Sequence, residues 1–119
     1  MNHELHTNVK EVVINNNLKK DGRLLYGQAT IGGPEEGRME INLKAGDVVN
    51  TIIHENLHLM DPAMPHGKVY RESDKIEGKM SLPQMAHLLM QTHMKSQYPE
   101  HRREITHTFA SNVREQYIR

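Results

Sequence analysis

Residues 39–60 read MEINLKAGDVVNTIIHENLHLM and change their hydrophobic period in the middle. Apolar and polar side chains alternate from Met39 to Leu43, which predicts a strand with one buried face. From Val48 to Met60 the apolar residues recur at helical spacing, and Asp47 is a residue type that caps helix N-termini. Asp61-Pro62 ends this helix, because the residue before a proline is disfavoured in the α region. The segment therefore predicts a strand followed by a helix.

Upstream of this segment the sequence predicts strands. Leu24–Ile31 is read as a strand that forms a hairpin with Met39–Leu43, across a break at Gly32-Gly33-Pro34. Two interpretations of the first twenty residues stay open: a strand over Lys10–Ile14, or a short helix over Leu5–Val13.

Downstream of the segment the sequence predicts helices. One begins at His66 and runs to Ile76, a second is capped by Ser81 and has Pro83 in its first turn, and a third begins at Pro99. Strands come first and helices follow, which indicates the α+β class rather than an alternating α/β fold.

The composition fits a single small domain spanning residues 1–119. Lys and Arg number 15 and so do Asp and Glu, and this zero net charge gives no strong signal for nucleic-acid binding. There is no cysteine, which excludes a disulfide framework, a thiol nucleophile and cysteine-ligated zinc. No apolar run is long enough for a membrane span and the polar start is not typical of a signal peptide, so we expect a soluble, cytoplasmic protein.

The predicted helix carries the motif HExxH as His54-Glu55-Asn56-Leu57-His58. Residues four apart lie on the same face of a helix, so both imidazoles can reach one metal ion. Glu55 then lies beside that ion, where it can activate water. This pattern indicates a catalytic zinc site.

A catalytic zinc site needs a third protein ligand and an open position. His66 is the first candidate, because the Asp61-Pro62 break lets the chain double back toward the motif. Glu72 and Glu77 are alternative ligands, since some zinc enzymes of this kind use a downstream carboxylate. Asp61 lies too close to the ligand helix for unstrained coordination, but it can accept a hydrogen bond from a ligand imidazole.

The HExxH motif followed by Pro65-His66-Gly67-Lys68-Val69-Tyr70 resembles the SprT-like zinc metallopeptidases. That family's pattern is HExxH, a short loop, His-Gly or His-Asn, and an aromatic residue three or four places later. The chain is also similar to small predicted metallopeptidases of this zincin type in phage and bacterial genomes. The resemblance covers about residues 39–76. It implies a minimal zincin-like domain, in which a small N-terminal sheet packs on the HExxH helix and C-terminal helices follow.

The resemblance also implies roles for individual residues. His54, His58 and His66 would be Zn²⁺ ligands, Glu55 the general base and acid, and Tyr70 the aromatic residue packed behind the site. Tyr70, Arg71 and His87 are unranked candidates for stabilising the oxyanion.

The chain departs from this family in two respects. It lacks the cysteine-rich zinc ribbon that often follows the catalytic core. Residues 94–119 carry five Lys and Arg against three Asp and Glu, so charge does not support the DNA binding of the larger members.

Three functions are consistent with these patterns. The first is a zinc metallopeptidase that acts on a peptide or protein, with the substrate added as an extra strand along residues 39–43 at the edge of the sheet. The alternative is a non-catalytic binding or assembly protein that has a zincin scaffold and a structural metal. The third is a metal-free interaction module built on the Met-rich helix near residues 81–96. Apolar C-terminal helices also leave a homodimer open.

Overall fold

The computed structural model describes residues 8–44 and 47–117, with side chains described as far as Arg114. The first part consists of five short strands: β1 (Glu11–Ile14), β2 (Lys19–Lys20), β3 (Arg23–Leu24), β4 (Gly27–Ala29) and β5 (Arg38–Ile41). The second part consists of four helices: α1 (Val48–Met60), α2 (His66–Lys79), α3 (Leu82–Lys95) and α4 (Pro99–Tyr117). The predicted α+β class, with strands first and helices after, is confirmed.

Three strands form the sheet on which α1 packs, in the order β1-β5-β4. β4 pairs antiparallel with β5, as the hairpin prediction requires, whereas β1 pairs parallel with the opposite side of β5. The prediction that residues 39–43 lie at the edge of the sheet is therefore wrong. β5 is the central strand because β1, from before the hairpin, returns to cover its second side, and β4 is the edge strand nearest the HExxH helix.

Two N-terminal predictions are also resolved. The segment predicted as one strand, Leu24–Ile31, is divided: Leu24 ends β3, which pairs with β2 in a separate hairpin, and β4 begins only at Gly27. The strand interpretation of Lys10–Ile14 is confirmed by β1. The alternative helix over Leu5–Val13 is wrong for its last three residues, which lie in β1, and its first three lie outside the described residues.

The helix boundaries follow the sequence signals closely. The Asp47 side chain accepts a hydrogen bond from the Val49 N–H at 3.0 Å and begins α1, and Asp61 is its C-cap. Ser81 and Gln84 form a reciprocal capping box at the start of α3. α2 begins at His66, as predicted, and continues to Lys79, beyond the predicted end.

α1 lies at the centre of the molecule, since it contacts β4, β5, α2 and α4. Ten of its 13 residues are buried, so it cannot be displaced without opening the core. Its sheet-facing side packs on the inward residues of β5, Met39 and Ile41, which have no exposed surface. None of the helices in residues 8–44 and 47–117 has the length and apolar character of a membrane span.

Candidate metal centre

The candidate site is built between α1 and α2, which pack side by side. The connection is short: the Met64 N–H donates to the Asp61 carbonyl at 3.0 Å, and Pro65 directly precedes α2. Because the turn is this tight, His66 at the start of α2 returns beside the last turns of α1. The two helices therefore supply three imidazoles to one place.

The three histidines are close enough to share one metal ion. The Nε2 atoms of His54 and His58 are 3.1 Å apart. Two nitrogens on a tetrahedral zinc ion are separated by about 3.4 Å, given Zn–N bonds of about 2.1 Å. One nitrogen from each of His54, His58 and His66 lies within 4.8 Å of the others.

Burial favours the neutral form of the two imidazoles on α1, those of His54 and His58. Desolvation lowers the pKa of His54 to about 4, and the neighbouring His58 and His66 lower it further than the nearby Asp74 raises it. The pKa of His58 is lowered by burial and by His66. Neutral imidazole is the form that binds metal ions, so the lowered pKa values of His54 and His58 favour metal binding at neutral pH.

The three histidines differ in how much of their surface is exposed to solvent. His54 is buried, with 6% of its surface exposed, His58 is intermediate and His66 is exposed. The group of three has no fourth His or carboxylate within reach among the described residues. The three histidines could therefore hold an ion, and the exposed side of the group lies at His66.

Glu55 projects from the same helix toward the sheet. Its residue is 6% exposed, and burial raises its pKa to about 7. Its side chain lies against Gly27 of β4, the edge strand. A buried carboxyl group that titrates near neutral pH, on the helix that carries two of the imidazoles, is a group that can both accept and donate a proton.

Tyr70 lies one turn after His66 on α2 and covers the site. Its ring centroid is 4.5 Å from that of His54 and 4.8 Å from that of His66. The residue is nevertheless 47% exposed, so the ring forms part of the wall of the site and is not enclosed in the core.

The other predicted site residues lie elsewhere. Asp61 is exposed, and the hydrogen bonds described for it are made by its backbone at the end of α1. His87 is exposed on α3, which packs against α4 and β1. Glu72 pairs with Lys75 at 3.6 Å. Glu77 accepts a hydrogen bond from Asn50 at the beginning of α1, so neither glutamate joins the three histidines.

A polar cluster that the sequence patterns did not predict lies one helical turn away on the same helix pair. The Asn50 amide donates to Asp74 and to Glu77, at 3.0 Å in each case. Burial, followed by a hydrogen bond with Asp47, raises the pKa of Glu77 to about 8. Helical spacing in the sequence indicates where this cluster lies: Asn50 is four residues before His54, and Asp74 is four residues after Tyr70, so each is one turn away from a residue of the site.

Comparison of the chain with models of protein families, with curated proteins and with solved structures finds no match. The site combines three histidines that are close enough to hold a metal ion, an exposed outer side at His66 and a buried carboxyl group on the same helix.

Proposed function

We propose that this protein is a zinc-dependent hydrolase, and specifically a metallopeptidase. The observation that carries the proposal is the convergence of His54, His58 and His66 at a helix that also carries the buried carboxyl of Glu55. The histidine group and the buried glutamate each have a simpler explanation when taken alone: three histidines could bind a structural metal, and a buried glutamate could be a packing residue. Together they make the ligand set and the base of a hydrolytic site.

The donor set suits zinc. Imidazole nitrogen is a preferred ligand of Zn²⁺, and three protein ligands with an open position are typical of its catalytic sites, whereas structural sites are closed by four. When bound, zinc supplies a Lewis acid that polarises a carbonyl group and makes water more acidic. The lack of a fourth ligand in the described group favours this reading over the alternative of a structural metal in a binding or assembly protein.

Glu55 would move the proton. In the hydrolysis of a peptide, its carboxylate accepts a proton from the attacking water and then donates it to the nitrogen of the leaving amine. A pKa of about 7 keeps a useful fraction of both forms at neutral pH. The same carboxyl group can therefore serve in both halves of the reaction.

The substrate would be a peptide or an extended segment of a protein, bound along β4. Gln28 pairs with a residue of β5 in the antiparallel register. On either side of it, the Tyr26 carbonyl and the Thr30 N–H form backbone hydrogen bonds to β5 or to the residue directly after it. Because successive residues of a strand alternate, the N–H and C=O groups of Gly27 and Ala29 point outward. These groups can pair with an added strand, and Glu55 lies against the face of the same strand at Gly27.

The test is metal content and peptide cleavage after purification without an affinity tag. We expect about one zinc per chain in the wild type, in Glu55→Gln and in the matched control His87→Ala, and much less in His66→Ala. Wild type and His87→Ala should cleave members of a peptide library, and Glu55→Gln should be at least about 100-fold slower. A wild type that binds zinc and cleaves nothing would instead support a structural metal, and one that binds no metal would reject the site.

A further inference from the structure

The edge strand β4 touches α1 where no side chain would fit. A Cβ atom on Gly27 would lie 2.8 Å from Thr51 Cγ2, 3.0 Å from Glu55 Cγ and 3.1 Å from Glu55 Oε2. Carbon atoms in ordinary contact are about 3.5–4.0 Å apart, so even one methyl group here would force something to move. The bare backbone of Gly27 is thus in direct contact with the glutamate of the HExxH motif.

Backbone conformation does not explain the glycine. The glycines with positive φ are Gly22, Gly32, Gly33 and Gly37, whereas Gly27 pairs with Ile41 in regular antiparallel register. Other residues can adopt this conformation. What the position requires is the absence of a side chain on the face directed at α1.

The next residue of β4 on the same face also has a small side chain. Side chains two apart on a strand share a face, so Ala29 is the next residue of β4 directed toward α1. Ala29 pairs with Met39, just as Gly27 pairs with Ile41, and both partners on β5 are large and fully buried. The edge strand therefore carries its smallest residues on the face where the central strand carries large ones. This difference lets β4 lie closer to α1 than β5 does.

We propose that Gly27 is the positioning residue of Glu55: because it has no side chain, β4 closes on α1 and holds the Glu55 carboxyl beside the three histidines. Thr51, one turn before Glu55 on α1, forms the other side of the contact. Without this closure the carboxyl group would lose its contact with β4 and could rotate to other positions. The inference rests on the proposed function, since it assigns Gly27 a role in setting the geometry of that site.

Cobalt(II) provides a test that does not depend on turnover, because its visible absorption reports the surroundings of a bound ion. We would compare wild type, Glu55→Gln, Gly27→Ala and the matched control Gly78→Ala, whose added methyl group meets nothing within 4 Å. All four should bind one cobalt per chain. The spectrum of Gly27→Ala should depart from wild type in the same direction as that of Glu55→Gln, and the spectrum of Gly78→Ala should match wild type.

Measurements of activity and a second substitution that should restore it complete the experiment. Gly27→Ala should lower kcat for peptide cleavage by at least about 100-fold, as expected when a general base is misplaced. Adding Thr51→Ser removes the methyl group at 2.8 Å and should restore part of both the spectrum and kcat. A merely structural role for Gly27 would lower stability and leave the cobalt spectrum unchanged.

The outcomes separate this inference from the function it rests on. Cobalt binding with a wild-type spectrum in Gly27→Ala would overturn the role of Gly27 and leave the proposed function intact. A wild type that binds no cobalt would overturn both. If Gly27→Ala does not fold, Gly27→Ala/Thr51→Ser is measured in its place, and failure of that variant to fold would show that the glycine serves the fold alone and overturn the inference.

Discussion

The α1–α2 helix pair has two polar layers that respond to burial in opposite ways. The histidine layer consists of His54, His58 and His66, and the carboxyl layer consists of Asp47, Asn50, Asp74 and Glu77. Burial lowers the pKa of His54 to about 4 and raises the pKa of Glu77 to about 8. One cause, the cost of burying charge, therefore moves a base and an acid toward their neutral forms.

The two layers differ in the interactions that their neutral side chains can make. A neutral imidazole retains a lone pair that can bind a cation. A protonated carboxyl group is a hydrogen-bond donor, and near Asp47 and Asn50 it has partners that fix it in place. The histidine layer is thus prepared for a ligand, whereas the carboxyl layer joins the helices that hold the histidines.

The largest expected effect is stabilisation of the histidine layer by zinc. A ligand that binds only the folded state at a concentration 100 times its Kd adds about 2.7 kcal/mol. For a chain of this size we expect the melting temperature to rise by about 10 °C. Calorimetry of the apoprotein with and without added zinc measures this shift.

The controls use histidines on different elements. His54→Ala/His58→Ala should lose the zinc-dependent shift, because two of three ligands are removed. His87→Ala, which removes an exposed imidazole on α3, should keep it. An equal response of both variants to zinc would contradict the assignment of the metal to the histidine layer.

The next effect concerns the carboxyl layer. Asn50→Ala removes two hydrogen bonds between α1 and α2, to Asp74 and to Glu77. Hydrogen bonds of this kind contribute about 1 kcal/mol each, so the free energy of unfolding should fall by about 2 kcal/mol. Urea denaturation of the metal-free protein measures the loss.

The same variant tests whether the layers are separate. Asn50→Ala should still bind one zinc per chain, since it leaves all three imidazoles in place. Loss of zinc binding at a temperature where the variant is folded would show that the carboxyl layer sets the position of His66, and the two layers would then be a single unit.

Short-range patterns gave the helices and the ligand motif. The limits of α1 and the start of α3 could be predicted, because they depend on interactions between residues that are close in the chain. These residues are Asp47, Asp61-Pro62 and Ser81. His54 and His58 are joined by helical spacing alone. His66 was one of several candidates, because its place depends on how tightly residues 61–65 turn.

Long-range pairing was harder to predict. The central position of β5 depends on a parallel partner, β1, that a hairpin pattern does not reveal. The contact between Gly27 and Glu55 joins two elements that do not follow each other in the chain, β4 and α1, and nothing local marks it. In the carboxyl layer, helical spacing relates Asn50 to His54 but not to Glu77, because Asn50 and Glu77 meet only once the helices have packed.

The smallest predicted effect is the pH dependence that Glu77 gives to stability. Its pKa is about 8 in the folded protein against a usual value of 4.5, so the folded state binds this proton more tightly than the unfolded state does. The resulting stabilisation is complete below about pH 4.5 and is lost as pH rises toward 8. Glu77→Gln keeps a neutral amide in place of the carboxyl group and should remove this loss.

Above pH 8 the Gln variant should exceed the wild type by about 1 kcal/mol, a value reduced from the full pKa shift because Glu77 is partly exposed. The histidine layer has the opposite slope, since a lowered pKa in the folded state makes stability increase as pH rises from about 4 to 6.5. The loss due to Glu77 spans about pH 4.5 to 8 and overlaps this rise, so the difference between Glu77→Gln and wild type should be constant below pH 4.5 and should grow from pH 4.5 to 8. Urea denaturation of both proteins from pH 4 to 9 measures this difference, and a difference that does not grow between pH 4.5 and 8 would contradict the role of Glu77 in the carboxyl layer.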